Sequence, residues 1–201
     1  MLTVILAVII CYLVGSVPTA YILVKAVKGI DVRTIGSGNV GATNAGRAIG
    51  RWAFVAVLFL DALKGYLPVY ILMNYVNIRP DAVLVCAFAI LAGHMYSIFL
   101  GFKGGGKGVA TGLGVFTALA PVPVAAALGV FIVVVAIWRM ISAGSIIAAL
   151  TLALSVTFLY SWPGLSLFTW IIAIIIILKH ASNIKRILNG TENKINIGKK
   201  S

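Results

Sequence analysis

Carboxylates are scarce in this chain: only four of its 201 residues are Asp or Glu, against sixteen Lys and Arg. Histidine and cysteine are rarer still, with two of each. These shortages exclude several chemistries. Two histidines and four scattered acids make no ligand set, so no metal is expected. A Ser–His–Asp triad has no Asp near either histidine in the sequence. Cys11 and Cys86 form no CxxC pair and lie in apolar stretches, which reads as two inert small hydrophobes.

Charge of either sign is also in short supply, at 10% of residues, while 62% are apolar and the mean hydropathy is +1.12. A soluble domain carries roughly a quarter charged residues. Several apolar runs approach the ~20 residues that cross a bilayer as a helix. The chain therefore reads as all-α, a polytopic integral membrane protein forming a single domain over 1–201. With no soluble basic domain, nucleic acid is not an expected partner. The lipid bilayer is.

Spans are expected at 2–24, 53–73, 82–100, 109–120, 123–138, 142–160 and 164–179. The first run lacks a basic leader and a small-residue cleavage site, so it reads as a retained span, bent by Gly15, Ser16 and Pro18. The segment 109–120 is short, but Pro121 and Pro123 argue against one long helix over 109–138. With about seven crossings, an N-terminus outside and a cytoplasmic C-terminus, fourteen of the sixteen cations fall inside, Arg79 and Lys64 excepted. Merging 109–138 would send Arg139 or the basic tail to the wrong face.

Polar residues concentrate in three clusters on the expected inner face. The first, Ile35 to Arg47, offers four glycines with Ser37, Asn39, Thr43, Asn44 and Arg47. Its glycines let backbone approach a ligand, and it brings no carboxylate to repel an anion. An ordinary Gly/Asn-rich turn is the plainer alternative. The second, GFKGGGKGVATG, matches half of a P-loop at Gly101, Gly106 and Lys107. Gly108 stands where Ser or Thr should hold magnesium, and no α/β domain surrounds it, so no nucleotide is expected. Its glycines open onto a helix whose first N–H groups can face an anion, with Lys103 and Lys107 adding charge. Lysines that merely hold a span in place are the alternative.

The third cluster, HASNIKRILNGTE, begins where the last span ends. At helical spacing His180 and Asn183 share a face, flanked by Lys179 and Arg186. A basic helix end at the headgroups explains the cations, though not His180 and Asn183. His94 sits in an apolar span, where a bond to a neighbouring helix is the first expectation. Asp61 and Lys64, three apart in another span, are expected to neutralise each other.

Cations, amides, hydroxyls and glycine N–H groups on one face suit ligands carrying one or two phosphates, held by charge-assisted hydrogen bonds. A site in a membrane further suggests that one ligand has a lipid tail. The His-x4-Asp pattern of one large acyltransferase class is absent, because Lys185 and Phe99 stand at that spacing from His180 and His94. GSGNVGATNAGR, FKGGGKGVATG and HASNIKRILNGTE instead resemble the three signature regions of the bacterial acyl-phosphate-dependent glycerol-3-phosphate acyltransferases, the PlsY family. The likeness extends over the chain in length, span count and motif order. The second motif departs from the family's FKGGKG by one added glycine.

The resemblance implies transfer of an acyl group from acyl phosphate to the 1-hydroxyl of glycerol 3-phosphate. The product would be lysophosphatidate, a phospholipid precursor, made at the cytoplasmic face of the bacterial inner membrane without a cofactor. Carried over by motif, Ser37, Gly38, Asn39, Thr43, Asn44 and Arg47 would bind substrate with Lys103, Gly104 and Lys107. His180 and Asn183 would join them, and Arg47, Lys107, His180 and Asn183 would also be catalytic. The three clusters are expected to meet in one cationic hollow. A transporter of phosphate or a phosphorylated metabolite is the competing class, disfavoured by polar groups gathered on one face and by the lack of an inverted repeat.

Overall fold

The computed structural model describes residues 1–195. Lys199 and Lys200, counted above among the inner cations, and the end of the polar tail lie outside the described residues. Those described form α-helices and two short 3-10 turns. The helices are α1 (Leu2–Ser16), α2 (Thr19–Lys28), α3 (Ala42–Ile49), α4 (Arg51–Tyr75), α5 (Pro80–Met95), α6 (Val109–Leu119), α7 (Pro121–Trp138), α8 (Ile141–Leu159), α9 (Pro163–Lys179) and α10 (Ala181–Leu188). The chain divides into two compact units, Met1–Leu119 and Ala120–Ser201.

Proline sets many of the boundaries. Pro80, Pro121 and Pro163 each open a helix, where a missing N–H costs nothing. Pro18 interrupts the first span: α1 stops at Ser16 and α2 resumes at Thr19, because proline cannot donate and restricts the residue before it. Pro68 lies within α4, as membrane helices tolerate.

Five stretches are long and apolar enough to cross a membrane: Leu2–Lys28, Arg51–Tyr75, Pro80–Leu100, Pro121–Trp138 and Ile141–Leu159. A sixth is reached when α9 and α10, bent by 58° at their junction, count as one. The segment expected as a further span at 109–120 is the 11-residue α6. At ~1.5 Å per residue it rises about 17 Å, short of the ~30 Å hydrocarbon core. The helices thus give five or six spans by length, where the sequence suggested about seven.

In the N-terminal unit, glycines let helices touch backbone to backbone. A Cβ at Gly65 in α4 would overlap the Thr111 carbonyl of α6, and one at Gly114 in α6 would overlap the Ala62 carbonyl of α4. Gly15 and Gly93 do the same between α1 and α5, against Ile90 and Tyr12. Such small-residue contacts replace the missing hydrophobic drive between helices in lipid. Gly114→Val is expected to lower the thermal midpoint in detergent, since overpacking costs about 1–3 kcal/mol. Gly129→Ala, where an added Cβ meets nothing within 4 Å, should not lower the midpoint.

In the C-terminal unit α7 packs on α8 and α8 on α9. Gly144 of α8 faces Phe131 and Val135 of α7. The segment after α10 returns to this unit, where the Ile195 N–H donates to the Arg139 carbonyl at 2.8 Å.

Candidate active site

The first polar loop rests on an apolar floor. Val32, Val40, Ala45 and Ala48 are buried together with Ala20, Val24, Ala53, Val57 and Leu100. Above them the chain turns through Gly36 (φ 56°) and Gly38 (φ 68°), left-handed conformations that favour glycine. Asn44 shapes the turn. Its Oδ1 accepts the Ser37 N–H at 3.1 Å, and its Nδ2 donates to the Val32 and Ile35 carbonyls at 2.9 and 3.1 Å. Buried and so engaged, Asn44 holds the shape of the loop on which the neighbouring polar groups stand. Ser37 and Arg47 are exposed, while Gly38, Asn39 and Thr43 are half-buried.

The second loop leaves the 3-10 turn Ile98–Leu100 and reaches α6 at Val109. It is docked on the end of α5. The Gly106 N–H donates to the His94 carbonyl at 3.1 Å. A side chain at Gly105 would strike the His94 and Met95 carbonyls, and one at Gly106 would strike the His94 ring. All three consecutive glycines are therefore in use, since Gly104 (φ 84°) sits against the Arg33 side chain. Lys103 is exposed and Lys107 half-buried.

Arg33 joins the two loops. Its guanidinium grips Asp31 through Nε at 3.0 Å and Nη2 at 2.6 Å, and Nη1 donates to the Lys103 carbonyl at 3.1 Å. It also lies over the Tyr21 ring, 5.5 Å from the centroid. Hydrogen bonding to Arg33 holds the Asp31 carboxyl below its usual range and raises Arg33 in turn. In the sequence Arg33 counted only as one inner cation. Its part as a clamp carries no motif signal beyond the nearby Asp31.

The third cluster departs from the continuous helical face expected of it. Helix α9 ends at Lys179, His180 occupies the break, and α10 turns away by 58°. The break carries its own hydrogen bond: His180 Nδ1 lies 2.8 Å from the Ile176 carbonyl. Because a carbonyl can only accept, Nδ1 is the donor in that contact. His180 and Asn183 are both buried.

Asn183 is oriented by Glu192, which the sequence reading passed over. Glu192 Oε1 accepts from Asn183 Nδ2 at 2.7 Å and from Ser142 Oγ at 2.8 Å, while Oε2 accepts from Arg186 Nε at 2.7 Å. Burial raises the Glu192 pKa, but hydrogen bonds from Asn183, Ser142 and Arg186 outweigh it, and the net direction is downward. A lone acid within a basic stretch was the available signal.

The first two clusters thus stand in the N-terminal unit, tied through Arg33, and His180 and Asn183 stand in the C-terminal unit. Among the described residues no three or more His, Cys, Asp or Glu are grouped to hold a metal.

A sequence model described as "Glycerol-3-phosphate acyltransferase" matches residues 5–190. The chain belongs to that family. Relatives bearing the family's name include one from Trichlorobacter lovleyi, 50% identical over 91% of this chain and 93% of its own. Another, from Endomicrobium trichonymphae, is 48% identical with both chains fully covered. Two crystal structures of PlsY (YgiH), an integral membrane member, superpose closely. Its glycerol 3-phosphate form gives a TM-score of 0.90 at 37% identity, and its lysophosphatidic acid form 0.87 at 36%, each covering 96% of both chains. The family and the helical spans make this a multi-pass membrane protein.

Proposed function

We propose that this protein moves a fatty acyl group from acyl phosphate to the sn-1 hydroxyl of glycerol 3-phosphate, releasing lysophosphatidate and phosphate. The observation that carries this reading is the pair of glycine loops tied together by Arg33, the first bearing Ser37 and leading into α3 with Arg47, the second bearing Lys103 and Lys107. Two anions need such cations, hydroxyls and unobstructed backbone. The PlsY crystal forms, with glycerol 3-phosphate and lysophosphatidic acid, supply the acceptor and product classes.

The reaction follows from the substrates. Acyl phosphate is a mixed anhydride with a good leaving group, so direct attack suffices. The glycerol 3-phosphate hydroxyl oxygen bonds to the acyl carbonyl carbon, the carbon–oxygen bond to phosphate breaks, and the hydroxyl proton passes to a phosphate oxygen. Arg47 and Lys107 offset charge on the phosphates and the carbonyl oxygen. Ser37, Gly38, Asn39, Thr43, Asn44, Lys103 and Gly104 bind alongside them. His180 and Asn183 are given catalytic and substrate-binding roles by the third motif. No cofactor takes part. The site faces the cytoplasm of a bacterial inner membrane, with the N-terminus outside, a reading supported by the inner bias of Lys and Arg.

Purified protein in detergent tests the reading. Acyl phosphate with glycerol 3-phosphate should yield lysophosphatidate without sealed vesicles, and acyl-CoA should not replace acyl phosphate. Uptake of a phosphorylated solute into vesicles, with no product in detergent, would establish a transporter instead.

A further inference from the structure

One buried polar cluster of the N-terminal unit has no part in the proposed chemistry. Asp61, in the middle of α4, is 1% exposed. Three groups converge on it. Lys64 Nζ lies 2.7 Å from its Oδ1, the Thr19 hydroxyl donates to the same oxygen at 2.5 Å, and His94 Nδ1 stands 3.8 Å away. Lys64 also donates to the Val17 carbonyl at 2.8 Å, at the break between α1 and α2. Mutual neutralisation of Asp61 and Lys64 explains their presence together. It does not explain why His94, from α5, and Thr19, from α2, are aimed at the same carboxylate.

His94 has a second face. Its ring is the surface on which Gly106 sits, and its carbonyl accepts the Gly106 N–H. Gly105, the neighbour of Gly106, also lines the small pocket that Asp61, Lys64, Thr19 and His94 surround. A line of neighbours therefore runs from the carboxylate, across 3.8 Å to the imidazole, and from there by direct contact to the glycine immediately before Lys107.

We propose that Asp61 is a positioning residue for the glycine-rich loop: by holding His94 at the end of α5, it sets where Lys107 stands when glycerol 3-phosphate binds. The inference rests on the phosphate-binding role proposed above for that loop. Asp61 touches no reacting atom. Its effect is conveyed by the His94 ring and the Gly106 backbone that rests on it. A loop shifted by a fraction of an ångström still folds, but it presents Lys107 to the phosphate in the wrong place.

The test separates placement from plain charge neutralisation. Asp61→Leu combined with Lys64→Met removes both charges together, leaving no uncompensated ion, a change that folded proteins commonly accept. His94→Gln leaves the Asp61–Lys64 pair intact and removes only the ring. Each is purified in detergent and assayed with acyl phosphate and varied glycerol 3-phosphate beside the wild type. Both are expected to raise KM for glycerol 3-phosphate by about 10- to 100-fold, with a smaller change in kcat. A partly misfolded preparation would instead lower apparent kcat at unchanged KM. Wild-type KM in His94→Gln, or in the charge-free double variant, overturns the proposal. Should the double variant not fold, His94→Gln decides alone. An inactive wild type would sink the proposed acyl transfer itself, which is a distinct outcome.

Discussion

Lys107→Ala should lower kcat/KM for glycerol 3-phosphate by about 10- to 150-fold, and Arg47→Ala by a similar factor. The estimate follows from the interaction. A hydrogen bond to a charged group contributes about 1.5–3 kcal/mol, and each ~1.36 kcal/mol is tenfold in rate. The Arg47 loss should not come from unfolding, since Arg47 is exposed on α3. The thermal midpoint of Arg47→Ala should therefore stay near the wild-type value while activity falls. Arg47→Lys should recover only part of the loss, because a point charge cannot reproduce a planar fork against a phosphate. Steady-state assays in detergent check all three variants. Activity within about twofold of wild type for both alanine variants would mark the loops as structural, contrary to the assigned role.

Glu192→Ala should act in the opposite order, first on stability and through it on activity. Three donors converge on this buried carboxylate, from Asn183, Ser142 and Arg186. Removing it takes away a shared acceptor from all three. Breaking a buried ion pair costs about 3–5 kcal/mol, and the lower end applies here because Arg186 is one-third exposed. The thermal midpoint should fall clearly, and Asn183 should lose its fixed orientation.

The same carboxylate gives a pH signature with a definite sign. A carboxyl held below its unfolded pKa contributes stability at higher pH, and that contribution is lost as pH falls through the folded value. The Glu192 contribution should therefore be complete above the ordinary carboxyl range and should fade below about pH 4.5. Asp31, similarly lowered by Arg33, adds to the acid sensitivity of the wild type. Glu192→Gln should be less stable at neutral pH and should flatten part of the acid limb. An acid limb identical to wild type, from thermal midpoints between pH 3 and 7, would contradict this account of Glu192.

Long-range features of the fold were legible because lipid enforces them. Apolar runs long enough to span leave little freedom, and Pro121, expected to break any helix running through 109–138, does so by opening α7. The length of α6 and the bend at His180 were harder to read. Both depend on where a chain turns after its apolar face ends, and hydropathy is silent on that. The polar clusters could be found from composition alone, since glycines, amides and cations without carboxylates are rare in such a chain. Roles within a cluster could not. Asn44 and Asn39 look alike in the sequence, yet three hydrogen bonds commit Asn44 to the turn. The ties of Arg33 to Lys103 and of Glu192 to Ser142 carry no sequence signal, because the partners are remote in sequence and meet only after folding.

The central claim is that acyl phosphate gives up its acyl group directly to glycerol 3-phosphate. Rapid-quench measurement of phosphate release tests it most sharply. Enzyme mixed with acyl phosphate alone should release no burst of phosphate, and adding glycerol 3-phosphate should release phosphate and lysophosphatidate together in equal amounts. A burst of one phosphate per enzyme before any acceptor is added would reveal an acyl-enzyme and contradict direct transfer.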